Sequence, residues 1–114
     1  MLAVPGTYTV KLTVNGATLT EALTLKMDPR ASITPLGLQQ QFTLATKIAD
    51  MMSRSYSAIN PQSATRNPQY DALVALNSDL ATAYDVVEAA DRAPTTQAVR
   101  AVAELEKRFM KLVK

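Results

Sequence analysis

Residues 7–27 alternate apolar and polar positions with the two-residue period of a β-strand. Within residues 7–14 the odd positions carry Thr or Lys, and the even positions are all apolar: Tyr8, Val10, Leu12 and Val14. Asn15-Gly16 follows, a pair typical of a two-residue hairpin turn because both residues tolerate positive φ. The pattern therefore predicts an antiparallel β-hairpin with one apolar face.

Folding the chain back at Asn15-Gly16 predicts the strand register. The expected pairs are Val14 with Ala17, Leu12 with Leu19, Val10 with Glu21 and Tyr8 with Leu23, while Leu25 and Met27 continue the same face. A hairpin of two strands is marginal in water, so this face needs cover from helices, further strands or another chain. The candidate interaction surface is Tyr8, Val10, Leu12, Leu23 and Leu25.

From residue 34 the apolar period changes to three and four residues, which predicts helices over about 35–59, 68–91 and 95–113. Thr34-Pro35 and Asn67-Pro68 each place a capping side chain before a proline that suits the first helical position. Asn60-Pro61 ends the first helix. The predicted apolar stripe of this helix is Leu38, Phe42, Ala45, Ile48 or Ala49, Met52, Tyr56 and Ile59.

The second predicted stripe is Tyr70, Leu73, Asn77, Leu80, Tyr84 and Val87, and the third is Val99, Val102, Leu105 or Glu106, Phe109 and Leu112 or Val113. Short connections make an antiparallel three-helix bundle the expected arrangement. The predicted fold is α+β, with a hairpin segment over 1–30 and a bundle over 31–114 in one compact unit. The hairpin is interpreted as the remnant of a β-sandwich.

Composition narrows the chemistry that this chain can perform. It contains no Cys and no His, which removes disulfides, the usual zinc, copper and haem ligands, and the commonest general base. Its Asp residues never approach a calcium-loop spacing. We therefore predict no catalytic site, no metal and no cofactor. A net charge of +2 is too small for a nucleic-acid surface, and no apolar run is long enough to span a membrane.

Three groups of polar residues each have a structural interpretation that outweighs a functional one. Asn77 in the second stripe is interpreted as a buried residue that fixes helix register, or as one turned to the edge of the helix, and not as a ligand contact. The tyrosines at 8, 56, 70 and 84 are expected to pack with their hydroxyls at the rim, and not to stack on a sugar. The cations Lys107, Arg108, Lys111 and Lys114 suit the negative end of a helix better than a membrane or nucleic acid.

The remaining candidate residues are charged side chains that could form ion pairs or a catalytic pair. Glu104 is predicted to pair with Arg108 one turn later. Asp50, Glu88 and Glu104 lie on different helices, so a catalytic carboxylate pair is disfavoured. Asp28-Pro29-Arg30 ends the second strand, and we hypothesise that Arg30 bridges the hairpin and the bundle.

Two stretches of sequence resemble one known family. Residues 5–16 (PGTYTVKLTVNG) with residues 23–30 (LTLKMDPR) resemble the C-terminal part of bacterial sortilin-like proteins. Those are large secreted β-propeller proteins with BNR/Asp-box repeats, often labelled glycosyl hydrolases. Residues 90–97 (ADRAPTTQ) are similar to a second stretch of the same tail, with Gln97 one place early.

The resemblance implies a position after a propeller and not an activity. The Asp-box signature is absent and the chain has no Trp, so no catalytic residue is carried over. It implies a non-catalytic C-terminal accessory domain, secreted or periplasmic, whose partner is the rest of the parent chain. The alternative is a free-standing interaction protein that forms a homo-oligomer through its hairpin or helix faces. An enzyme acting on glycans is the least favoured hypothesis.

Overall fold

The computed structural model describes residues 3–62, 67–89 and 92–113. Two strands come first, β1 (Gly6–Val14) and β2 (Ala17–Leu25). Three helices follow, α1 (Pro35–Ile59), α2 (Pro68–Glu88) and α3 (Thr96–Leu112), with a 3₁₀ turn (Asn60–Gln62) after α1. The predicted α+β class, a two-stranded antiparallel hairpin followed by three helices, is confirmed.

The hairpin has the predicted register throughout, from Gly6 opposite Leu25 to Val14 opposite Ala17. Its turn residues both have positive φ, 49° at Asn15 and 79° at Gly16. A pair of left-handed residues matches the twist of the flanking strands, which is why this dipeptide closes the hairpin here.

Each helix begins at a side-chain cap, and the sequence predicted the caps of α1 and α2. Thr34 Oγ1 accepts a hydrogen bond from the Gly37 backbone N–H at 3.0 Å, and Asn67 Oδ1 accepts one from Tyr70 at 2.9 Å. Thr95 caps α3 in the same way. The last residue of α2 is Glu88, and residues 90 and 91, where the sequence placed its end, lie outside the described residues.

Side-chain contacts between helices define their directions. Gln41 near the start of α1 reaches the Val87 carbonyl at the end of α2, and Asn77 in mid-α2 reaches the Met52 carbonyl, so α1 and α2 are antiparallel. Arg108 of α3 pairs with Asp79 of α2 at 2.6 Å. The helix α2 packs against both of its neighbours, while α1 and α3 meet over a smaller area.

The buried apolar cluster lies between the three helices and contains Ala45, Ile48, Met51, Leu76, Leu80, Val87, Val102 and Phe109. The stripe predicted for α1 is wrong by one residue over much of its length. The side chain of Tyr56 is 59% exposed, whereas Ser55, Met51 and Gln41 are buried. A shift of one residue turns the buried face of the helix by about 100°. The shift arises because polar and small residues of α1 face α2, where their hydrogen-bonding groups find partners.

The hairpin projects from the helices instead of lying on them. The radius of gyration is 18.2 Å, against roughly 13 Å for a compact chain of this length. The strands pack against each other, and among the described residues neither strand has an extensive contact with a helix. The helices therefore leave the apolar face of the hairpin uncovered.

Candidate interaction surface

Residues that pair directly across an antiparallel hairpin point to the same side, so the register sorts every side chain of β1 and β2 onto one of two faces. We call one of them the apolar face; its members are Tyr8, Val10, Leu12, Val14, Ala17, Leu19, Glu21, Leu23 and Leu25. The opposite side is the threonine face, which consists of Thr7, Thr9, Lys11, Thr13, Thr18, Thr20, Ala22 and Thr24.

The apolar face is open to solvent along most of its length. Leu19 is 70% exposed, Leu12 57% and Val10 50%. Tyr8 and Leu23 are also exposed, and only Leu25, at the base of the hairpin, is half-buried. The structure thus brings the five predicted surface residues together on one face, four of them exposed.

Two further members of the apolar face, Val14 and Leu19, were not among the predicted interaction residues, although both are exposed. The alternation of apolar and polar residues in the sequence already places both on the apolar side of the hairpin. They lie beside the turn, so they extend the face to the tip of the hairpin. The apolar face therefore runs the full nine residues of each strand.

The strand edges are a second feature of this surface. The sheet contains two strands, so each is hydrogen-bonded on one side only within the described chain. The outer edges present backbone N–H and C=O groups that can pair with another strand. The hairpin thus offers both an apolar face and hydrogen-bonding edges to a partner.

A local hydrogen bond fixes how the chain enters β1. The Tyr8 hydroxyl donates to the Val4 carbonyl at 2.5 Å, four residues upstream. This ties the side chain at the start of the apolar face to the turn that precedes the strand. A tyrosine that bonds back to upstream backbone in this way is a feature of immunoglobulin-type β-sandwiches.

The segment after β2 is a tight turn stabilised by Asp28. Its carboxylate accepts hydrogen bonds from the Arg30 backbone N–H at 2.9 Å and from the Arg30 guanidinium at 3.2 and 3.1 Å. The Ala31 N–H closes the turn on the Asp28 carbonyl. The hypothesis that Arg30 bridges the hairpin and the helices is wrong, because its exposed guanidinium binds Asp28.

This turn gives a pH-dependent prediction. The Arg30 guanidinium, and then the Arg30 backbone N–H, hold the pKa of Asp28 below its ordinary value of 3.8. Because the pKa of Asp28 is lower in the folded chain than in the unfolded chain, its ionisation stabilises the turn at every pH above the unfolded pKa. This stabilisation is lost as the pH falls through the folded pKa. We expect Arg30→Gln to raise the Asp28 pKa, measured by NMR titration of its side-chain carboxyl carbon.

The matched control is Arg100→Gln, which removes an exposed arginine from α3 and should leave the Asp28 titration unchanged. An Asp28 pKa that does not rise when Arg30 is replaced would show that the turn does not depend on the guanidinium contact.

The other sequence candidates lie apart from the hairpin. Asn77 donates to the Met52 carbonyl at 3.0 Å and to Ser55 Oγ at 2.7 Å, which agrees with the predicted role in helix register. Tyr70 and Tyr84 are half-buried. Arg108 pairs with Asp79, and Glu104 pairs with Lys107 instead, so the predicted Glu104–Arg108 pair is wrong. Lys114 lies outside the described residues.

The acidic residues named in the sequence are separated in the structure. Asp50 pairs with Arg54 on α1, and Glu104 pairs with Lys107 on α3, both on exposed surfaces. Across residues 3–62, 67–89 and 92–113, no group of three or more acidic side chains is placed to hold a metal ion. In the same ranges no helix is long and apolar enough to cross a membrane.

Comparisons with protein families, with curated proteins and with solved structures find nothing that matches this chain.

Proposed function

We propose that this chain is a non-catalytic accessory module of a larger protein, and that it docks onto that protein by its hairpin. The single observation that carries the proposal is the exposed apolar face. In a strand with one buried face, alternation of apolar and polar residues normally places the apolar side against a core. Here the helices, as far as the structure describes them, leave that side exposed from Tyr8 to Leu23.

The size of the face supports a docking role. Nine residues span about 30 Å, and two strands with their side chains cover a width of about 10 Å, so the exposed apolar face measures roughly 300 Å². The largest contiguous apolar patch on a typical soluble monomer is about 300–600 Å² and is often a functional surface. Removal of this area from water is the driving force that we assign to docking.

Further observations support a β-sheet partner over a groove that receives a helix. The hydrogen bond from Tyr8 to Val4 is of the type found at the corner of β-sandwiches. The threonine face has the composition expected of the solvated side of such a sheet. The resemblance to the tail of sortilin-like propeller proteins agrees with a parent chain that supplies the missing strands.

Site-specific photo-crosslinking in the full natural protein tests the proposal. A benzoylphenylalanine at Leu12, on the apolar face, should crosslink to a strand whose apolar residues alternate, and peptide mapping by mass spectrometry would locate the adduct. The matched position is Thr13, which is adjacent in sequence but lies on the threonine face. We expect a crosslink yield at least about tenfold higher from Leu12, because only its face would be in contact with the partner.

Equal yields from both positions, or no adduct from Leu12, would contradict docking by the apolar face. Adducts that join two copies of this chain would favour the alternative, a free-standing protein that self-associates through its hairpin.

A further inference from the structure

Glu21 is the one ionisable carboxylate on the apolar face, and it lies at the centre of that face. It pairs with Val10 in the middle of the nine-pair register, with four pairs towards the turn and four towards the base. Its side chain is exposed, and the described part of the chain provides it with no ion pair. Any sheet that covers the apolar face must therefore accommodate a carboxylate at its centre.

A second copy of the chain is a poor occupant of this face. Two hairpins packed face to face about a central two-fold axis would bring the two Glu21 carboxylates together. Like charges forced together away from water are strongly unfavourable. The lysine of β1 cannot compensate, because Lys11 lies on the threonine face.

The area of the face leads to the same conclusion. A face-to-face pair would bury roughly 300 Å² on each copy, whereas a specific stable interface buries about 800 Å² per partner. A larger sheet that also pairs with a strand edge would bury more surface and add backbone hydrogen bonds. The occupant is accordingly a different polypeptide surface, larger than one hairpin.

We propose that Glu21 determines which partner binds the hairpin, by excluding a second copy and selecting an apolar β-sheet face with a lysine or arginine opposite its centre. This inference rests on the proposed function, since it assumes that the apolar face is a docking surface. A basic group opposite Glu21 would neutralise the carboxylate as the surrounding leucines and valines leave water. Electrostatic complementarity of this kind contributes mainly to specificity.

Variants of the chain itself can supply the complementary charge. The Glu21→Lys variant is mixed with an equal amount of the wild-type chain. When a variant hairpin packs face to face on a wild-type hairpin, its lysine lies opposite Glu21. By sedimentation equilibrium we expect the mixture to associate at least about tenfold more tightly than either chain alone. The association should weaken as salt is raised.

The neutral variant Glu21→Val separates the effect of the carboxylate charge from the effect of the apolar area. Without the central carboxylate the face is continuous and apolar, so we expect Glu21→Val to self-associate at least about tenfold more tightly than wild type, with little salt dependence. Cross-strand NMR contacts show whether each hairpin is formed, and Glu21→Arg replaces Glu21→Lys if the lysine variant lacks them. The control Ala22→Lys places a new lysine on the threonine face and should not promote association with wild type.

The outcomes separate the two proposals. If Glu21→Val self-associates but the mixture binds no more tightly than its components, the apolar face docks and Glu21 does not select a basic partner. If wild type self-associates as tightly as Glu21→Val, the exclusion of a second copy is wrong. If neither Glu21→Val nor the mixture associates more tightly than wild type, Glu21 does not exclude a second copy and this inference fails. The proposed function is overturned separately, by the absence of a crosslink from Leu12.

Discussion

Replacement of Phe109 by Ala is expected to destabilise the helical unit by about 4 kcal/mol, the largest effect of any single truncation that we propose. Phe109 is 2% exposed and belongs to the cluster shared by all three helices. Its removal forfeits the transfer free energy of an aromatic ring and leaves a cavity that neighbours fill only in part. The Arg54 guanidinium, 4.7 Å from the ring centroid, also loses its contact.

The measurement is urea unfolding followed by helical circular dichroism, in which the midpoint should fall while the slope is retained. Since small domains are stable by only about 5–15 kcal/mol, a loss of this size would leave the variant marginally folded. The adjacent Met110 is 65% exposed, so Met110→Ala provides the control and should change stability by less than about 0.5 kcal/mol. Similar losses for both variants would show that the third helix does not pack through Phe109.

Replacement of Gln41 by Leu is expected to cost about 2 kcal/mol, although leucine is apolar and of similar size. Gln41 is 6% exposed, and its amide nitrogen donates to the Val87 carbonyl at 2.7 Å. That carbonyl belongs to the last turn of α2, where backbone acceptors have no partner within the helix. A leucine would leave the carbonyl buried without this donor, and the cost is the desolvation of that group.

Two companion variants make this test specific. Gln40→Leu changes the neighbouring exposed glutamine and should be nearly neutral. Gln41→Glu keeps the shape but replaces the donor with a carboxylate at the negative end of α2, so we expect a larger loss than for leucine. If Gln41→Leu is as stable as wild type in the same urea titration, the contact between Gln41 and α2 does not contribute to stability.

These core variants also test whether the hairpin and the helices unfold independently. The cluster that contains Phe109 has no member from β1 or β2. Loss of the helical core should consequently leave the stability of the hairpin nearly unchanged. The function proposed for the hairpin requires that it does not pack on the helices, because an apolar face buried against them would not be accessible to a partner.

Much of the candidate surface could be predicted from local sequence. Alternation from Tyr8 to Val14 assigned each residue to a face, and Asn15-Gly16 fixed the register that places Glu21 opposite Val10. These features depend on neighbouring residues only, since strand pleat and turn geometry operate over a few positions. The caps predicted at Thr34 and Asn67 likewise depend on hydrogen bonds between residues close in sequence.

The contacts of polar residues at the helix interfaces could not be predicted in the same way. Gln41 and Ser55 are buried, while Tyr56 points outwards, because their environment depends on how α2 lies against α1. The buried Gly37 is another example: a Cβ there would lie 3.2 Å from the Ala93 Cβ, so its small size permits the loop before α3 to approach α1. A hydrophobic pattern alone carries no signal for such contacts.

The sequence by itself determined the elements of this protein: the hairpin and its register, the starts of three helices, and the identity of one apolar face. Only the tertiary structure decided that the described helices leave this face exposed, and that Gln41 links the start of α1 to the end of α2. The physical reason is range. Strand pleat, turn and cap act between residues close in sequence, whereas coverage and helix docking depend on surfaces that meet only after the chain has folded.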